Sequence, residues 1–133
     1  KEAELYFRKS IEFNPNYSMA YSNLGSILRD LGKLKEAEIA YRKAIQINPN
    51  FAIAYSNLGL ILRDLGNFKE AEIAYRRAIQ INPNFAVAHS YLGNILRDLG
   101  NFKEARLCSE KTLSLRPWTI IGSYSLNFQT ISD

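Results

Sequence analysis

"AYSNLGSILRDLGKLKEAEIAYRKAIQINPNF" occupies Ala20–Phe51, and "AYSNLGLILRDLGNFKEAEIAYRRAIQINPNF" occupies Ala54–Phe85. The second stretch restates the first 34 residues later. Pro15, Pro49, Pro83 and Pro117 keep that interval, as do Gly25, Gly59 and Gly93, and again Gly32, Gly66 and Gly100. Units 18–51 and 52–85 agree at 28 of 34 positions; units 52–85 and 86–119 agree at only 17, with the differences concentrated after Ala105. A fixed period of this length marks a stacked array in which each unit contacts its neighbours. Catalysis needs unlike residues converging on one point, so the repetition argues for an extended surface.

Each unit reads as two helices. In the first, Tyr55, Leu58, Gly59, Leu62 and Leu65 recur at helical spacing, and Gly66 supplies a left-handed stop. The second opens at Asn67 with Glu70 three residues on, a capping-box arrangement, and continues through Ala71, Ala74, Tyr75, Ala78 and Ile79. It ends at "INPN", where proline forbids further helix. Gly59 and Ala71 are small, as a close helix crossing requires. One such hairpin cannot bury both of its faces; stacked copies can. The predicted fold is therefore all-α, a solenoid of antiparallel helix hairpins.

The period, the Tyr55–Leu58–Gly59 cluster, Ala71, Tyr75, Ala78 and Pro83, with their equivalents 34 residues earlier, resemble the tetratricopeptide repeat. The third unit keeps Leu92, Gly93, Ala105 and Pro117, with His89 in place of tyrosine. The resemblance covers roughly residues 1–118. It implies a right-handed superhelix whose first helices line a concave groove that commonly binds peptides. The "YSNLG" segments are similar to the repeats of O-linked N-acetylglucosamine transferases, whose inner surface carries a ladder of asparagines. That likeness would assign peptide contact to Asn23 and Asn57, with Tyr91 breaking the ladder in the third unit.

The expected organisation is the second helix of an incomplete repeat at 1–17, repeats at 18–51, 52–85 and 86–119, and a partial or capping helix at 120–133. For that last stretch, Ile121, Tyr124, Phe128 and Ile131 make one helical face, while Tyr124, Leu126 and Phe128 also alternate as in a strand; helix is the preferred reading. Both ends read as cut from a longer protein. Each exposes an apolar flank without a polar cap, so self-association through the ends is expected.

Composition excludes several classes. Net charge is +4, from 17 basic and 13 acidic residues, too weak a bias to argue for nucleic acid. Cys108 is the only cysteine, so no intramolecular disulfide can form. No apolar run approaches the roughly 18 residues of a membrane span. The amphipathic "KEAELYFRKS" opening is no signal peptide, and the expectation is a cytoplasmic chain.

Candidate contact residues lie on the first helices. Asn23 and Asn57 offer a donor and an acceptor to the backbone of an extended peptide. Ser22, Ser56 and Ser90, with Ser26, Leu60 and Asn94, are expected to share the groove wall, and Tyr91 is counted among the peptide contacts. The groove positions that carry a carboxylate clamp in chaperone-binding relatives are here Ser22, Met19 and Asn23 and their repeats; none is basic, which argues against such a clamp. Arg29, Arg63 and Arg97 recur beside Asp30, Asp64 and Asp98. They read as inter-repeat ion pairs or as a charged ladder facing a ligand, and phosphate contacts by the arginines would support RNA binding. His89 takes a packing slot and has no second ligand for a metal. Cys108 reads as a small buried residue. No phosphate loop or nucleophile elbow occurs, so neither catalysis nor a cofactor is expected in these residues. The function expected is a scaffold binding a protein or an extended peptide. The alternatives are a recruitment arm of a larger enzyme, such as a glycosyltransferase, and an RNA-contacting solenoid.

Overall fold

The computed structural model describes residues 1–116, so the element expected at 120–133 and the apolar C-terminal flank lie outside the described residues. Within them the chain runs through seven helices: α1 (Glu2–Phe13), α2 (Ser18–Asp30), α3 (Leu34–Ile47), α4 (Ala52–Asp64), α5 (Phe68–Ile81), α6 (Ala86–Asp98) and α7 (Phe102–Leu115). Successive helices pack against one another along the whole series. The chain is an all-α solenoid.

Sequence fixes both turns of the unit. At the tighter one, Gly66 adopts φ +84°, a left-handed conformation that costs glycine nothing. The Asn67 amide then reaches back to the Leu62 carbonyl at 2.8 Å and the Gly66 amide to Arg63 at 2.9 Å, closing the helix with a Schellman pattern. At the wider turn, Asn82 leaves the helix in extended conformation ahead of Pro83, and its side chain accepts from the Asn84 amide at 3.2 Å. The same local bond recurs at Asn14 and Asn48.

The capping box expected at Asn67 and Glu70 is absent: Asn67 makes no side-chain cap. Glu70 is engaged instead by Arg42 of the preceding second helix, at 3.3 Å. The box forms one unit later, where Asn101 accepts from the Glu104 amide and donates to its carboxylate at 2.9 Å. Glu104 serves both partners by giving its other oxygen to Arg76 at 2.8 Å.

The core is a continuous ribbon of Leu24, Leu28, Ala37, Tyr41, Leu58, Leu62, Ala71, Tyr75, Leu92, Leu96 and Ala105. Gly59 is indispensable to it, since a Cβ there would stand 2.5 Å from the Tyr75 ring. The close approach that the sequence assigned to Gly59 and Ala71 thus serves the tyrosine.

Candidate functional site

The backbones of α2 and α4 approach closely, as do those of α4 and α6. Among the described residues the backbones of α3 and α5 stay apart, as do those of α5 and α7, bridged by long side chains such as Arg42–Glu70 and Arg76–Glu104. The stack therefore curves with the first helices inside and the second helices splayed outside. Each first helix buries Ala20, Leu24 and Leu28, or their equivalents, and leaves the opposite side open.

That open side carries Asn23, which is exposed, and Asn57 and Tyr91, which are half-buried in the same slot. Among the described residues neither asparagine side chain is engaged in a hydrogen bond. Tyr91 leans on Tyr75, their ring centroids 5.6 Å apart. Asn94, half-buried, accepts from Arg97 at 3.4 Å.

Ser22 and Ser56 depart from expectation. They are 5% and 2% exposed and offer no wall to a ligand. Adjacent residues on a helix point about 100° apart, so when Asn23 faces outward its neighbour is carried into the packing. Ser90 is half-buried.

The arginines split. Arg29 pairs with Asp64 at 3.4 Å and Arg63 with Asp98 at 3.5 Å, each reaching from one unit into the next. These ion pairs engage two of the three cations proposed for ligand contact. They also account for aspartate at a helix C-terminus, where the dipole alone would disfavour it. Arg97 has only Asn94 as partner among the described residues.

Met19 and Ile53, 52% and 54% exposed, occupy one of the groove positions compared above with a carboxylate clamp, and they add apolar surface to the inner face. Each stands four residues before Asn23 or Asn57 and so shares its helix face, a signal that was present in the sequence.

The two singular residues serve packing. His89 is buried, with Nε2 2.8 Å from the Pro83 carbonyl. Cys108 is a buried free thiol that burial pushes above its ordinary pKa, with help from the nearby Glu104 carboxylate. Among the described residues no three His, Cys, Asp or Glu side chains gather to hold a metal, and no helix is long and apolar enough to cross a membrane.

No curated protein matches the chain. Among solved structures, "Crystal structure of MamA" superposes with a TM-score of 0.81 at 27% identity, over 88% of this chain and 68% of that one. "Crystal structure of MamA protein" gives 0.79 at 28% identity, over 87% of this chain and 63% of that one. A tetratricopeptide repeat family model matches residues 52–85 and a TPR repeat model matches 25–66. A further tetratricopeptide repeat model matches 6–39 and 74–107, just over half of the chain. With the 34-residue hairpin, the glycine stops and the inner and outer helices already in place, the chain belongs to the tetratricopeptide repeat family.

Proposed function

We propose that the chain is a protein-interaction scaffold that holds an extended peptide along its inner face. The observation carrying this reading is the pair Asn23 and Asn57, in equivalent slots on adjoining helices, with unengaged side-chain amides. An amide supplies both a donor and an acceptor, which is what the backbone of an extended peptide requires every second residue. Met19 and Ile53, one turn earlier, supply apolar contact for the alternate side chains. Tyr91 closes the series with an aromatic face that suits a bulkier residue of the ligand. Arg29 and Arg63 set the spacing of the units through their aspartates and leave ligand contact to the amides and apolar groups.

The test uses an array of extended synthetic peptides to select binders, followed by titration calorimetry on the best of them. Asn23→Ala with Asn57→Ala should weaken binding about tenfold or more, the equivalent of about 1.4 kcal/mol. Stability should stay within about 0.5 kcal/mol of the parent, since both side chains lie away from the core. Equal affinity of parent and double variant for every selected peptide would refute the asparagine contacts.

A further inference from the structure

The second helices carry a pattern that the inner face does not use. Leu5, Ile39, Ile73 and Leu107 recur at the 34-residue interval and are between 55% and 68% exposed. Four residues on from each, Lys9, Lys43, Arg77 and Lys111 recur at the same interval and are also exposed. Residues four apart share a helix face, so every second helix presents one aliphatic side chain and one cation outward. Packing inside the stack explains neither series.

Because the second helices splay apart, a groove opens between each successive pair. The first, of about 360 Å³, is floored by Tyr21 and Leu24; the next, of about 390 Å³, by Tyr55 and Leu58. The third lies between α5 and α7 over His89 and Leu92 and measures about 700 Å³. At its floor His89 is smaller than tyrosine and is drawn back to the Pro83 carbonyl, whereas Tyr21 and Tyr55 stay half-exposed in the same slot. Ile73 and Leu107 form the apolar lips of this groove.

The charges around it are unequal. Arg76 meets Glu72 at 3.0 Å and Glu104 at 2.8 Å, and with Lys69, 3.6 Å from Glu72, these four charges balance. Among the described residues Arg77 meets only the Gln80 amide, at 2.9 Å, and the Tyr55 ring. Lys111 enters no ion pair among the described residues. The uncompensated charge at the rim is therefore positive.

We propose that the outer groove between α5 and α7 docks an acidic amphipathic helix of a partner protein. A large apolar side chain of that helix enters between Ile73 and Leu107, and its flanking carboxylates meet Arg77 and Lys111. A flat anionic bilayer fits less well, because the apolar floor is recessed and the Glu104 carboxylate stands in the same groove. A second copy of this chain, with 17 basic residues to 13 acidic, is also the poorer electrostatic complement. The inference does not depend on the inner-face reading, since it uses the opposite side of the stack.

The test is an NMR titration of the 15N-labelled chain. The probe is a synthetic peptide of about five helical turns, with leucine and phenylalanine on one face and glutamate beside them. A twin carrying lysine for every glutamate is the control. Saturable shifts are expected at Ile73, Arg77, Leu107 and Lys111. Leu107→Asp should weaken binding about tenfold or more, a loss ordinary for an anchoring contact. Lys111→Glu should shift preference toward the lysine twin. Both side chains are exposed, and an unchanged thermal melt confirms that the variants fold. Lack of saturation, equal binding of the lysine twin, or shifts confined to α2, α4 and α6 would overturn the proposal. So would self-association that Leu107→Asp abolishes, because the occupant would then be a second copy.

Discussion

The hydroxyls of Ser26 and Tyr41 lie 2.7 Å apart and tie α2 to α3, while the equivalent Tyr75 hydroxyl is buried without a partner among the described residues. The difference traces to one of the six positions at which the two units differ, where Leu60 stands in the slot of Ser26. Burial pushes both phenols above their ordinary pKa, and the Ser26 bond partly counteracts this for Tyr41. Removing the Tyr41 hydroxyl should cost about 0.5–1.5 kcal/mol, the usual net value of a hydrogen bond. Removing the Tyr75 hydroxyl takes away an unsatisfied buried group and should be neutral or mildly stabilising. Urea unfolding of Tyr41→Phe and Tyr75→Phe checks the pair, and equal losses would contradict the asymmetry.

The glycines of the first helices should rank in order. An added methyl would meet the Tyr75 ring at 2.5 Å from Gly59, the Tyr41 ring at 2.9 Å from Gly25, and Cys108 at 3.2 Å from Gly93. The two tyrosines are fully enclosed and cannot swing away. Alanine gains about 1 kcal/mol of helix propensity over glycine, against about 1–3 kcal/mol for an overpacked core. Gly59→Ala should therefore destabilise most and Gly25→Ala less, with Gly93→Ala near zero or favourable. Thermal melts of the three single variants give the order directly.

Fold was legible because the glycine stops and the prolines act within one turn of the chain, and the period of 34 repeats them along it. The inner-face asparagines were legible for the same reason. What escaped was set by neighbours in space. Ser22 looks identical in sequence whether it faces a groove or a packed helix, and only its angle to Asn23 decides that it is buried. Glu70 satisfies the capping pattern as well as Glu104 does, but Arg42 lies in another unit and claims it. The outer grooves depend on second helices splaying apart, which no single unit encodes.

The two Arg–Asp pairs should act as spacers more than as sources of stability. Arg29, Arg63, Asp64 and Asp98 are each between 38% and 40% exposed. Exposed pairs of this kind are worth about 0.2–1 kcal/mol and are screened by salt. A double-mutant cycle of Arg29→Gln with Asp64→Asn should give a coupling below about 1 kcal/mol that shrinks further in molar salt. A larger, salt-resistant coupling would mean that the ladder is structural to a degree its exposure does not explain.

Cys108 provides a final check on the packing between α6 and α7. Burial is the main reason its thiol stays protonated, with the Glu104 carboxylate next, while Arg76 opposes them. Only the thiolate attacks an alkylating reagent, so both the raised pKa and the restricted access slow the reaction. At pH 8 the native chain should react with iodoacetamide about tenfold or more slowly than the same chain in urea. The rate should climb across the unfolding transition. Because Cys108 also lines the wide outer groove, an apolar peptide seated there should slow labelling further. Glu104→Gln removes one source of the raised pKa and should quicken the reaction, but it also releases Arg76 and alters the Asn101 cap. Its melting temperature must therefore be read alongside. Labelling of the native chain as fast as of the unfolded one would show that the thiol is open to solvent and that α7 does not hold it against α6.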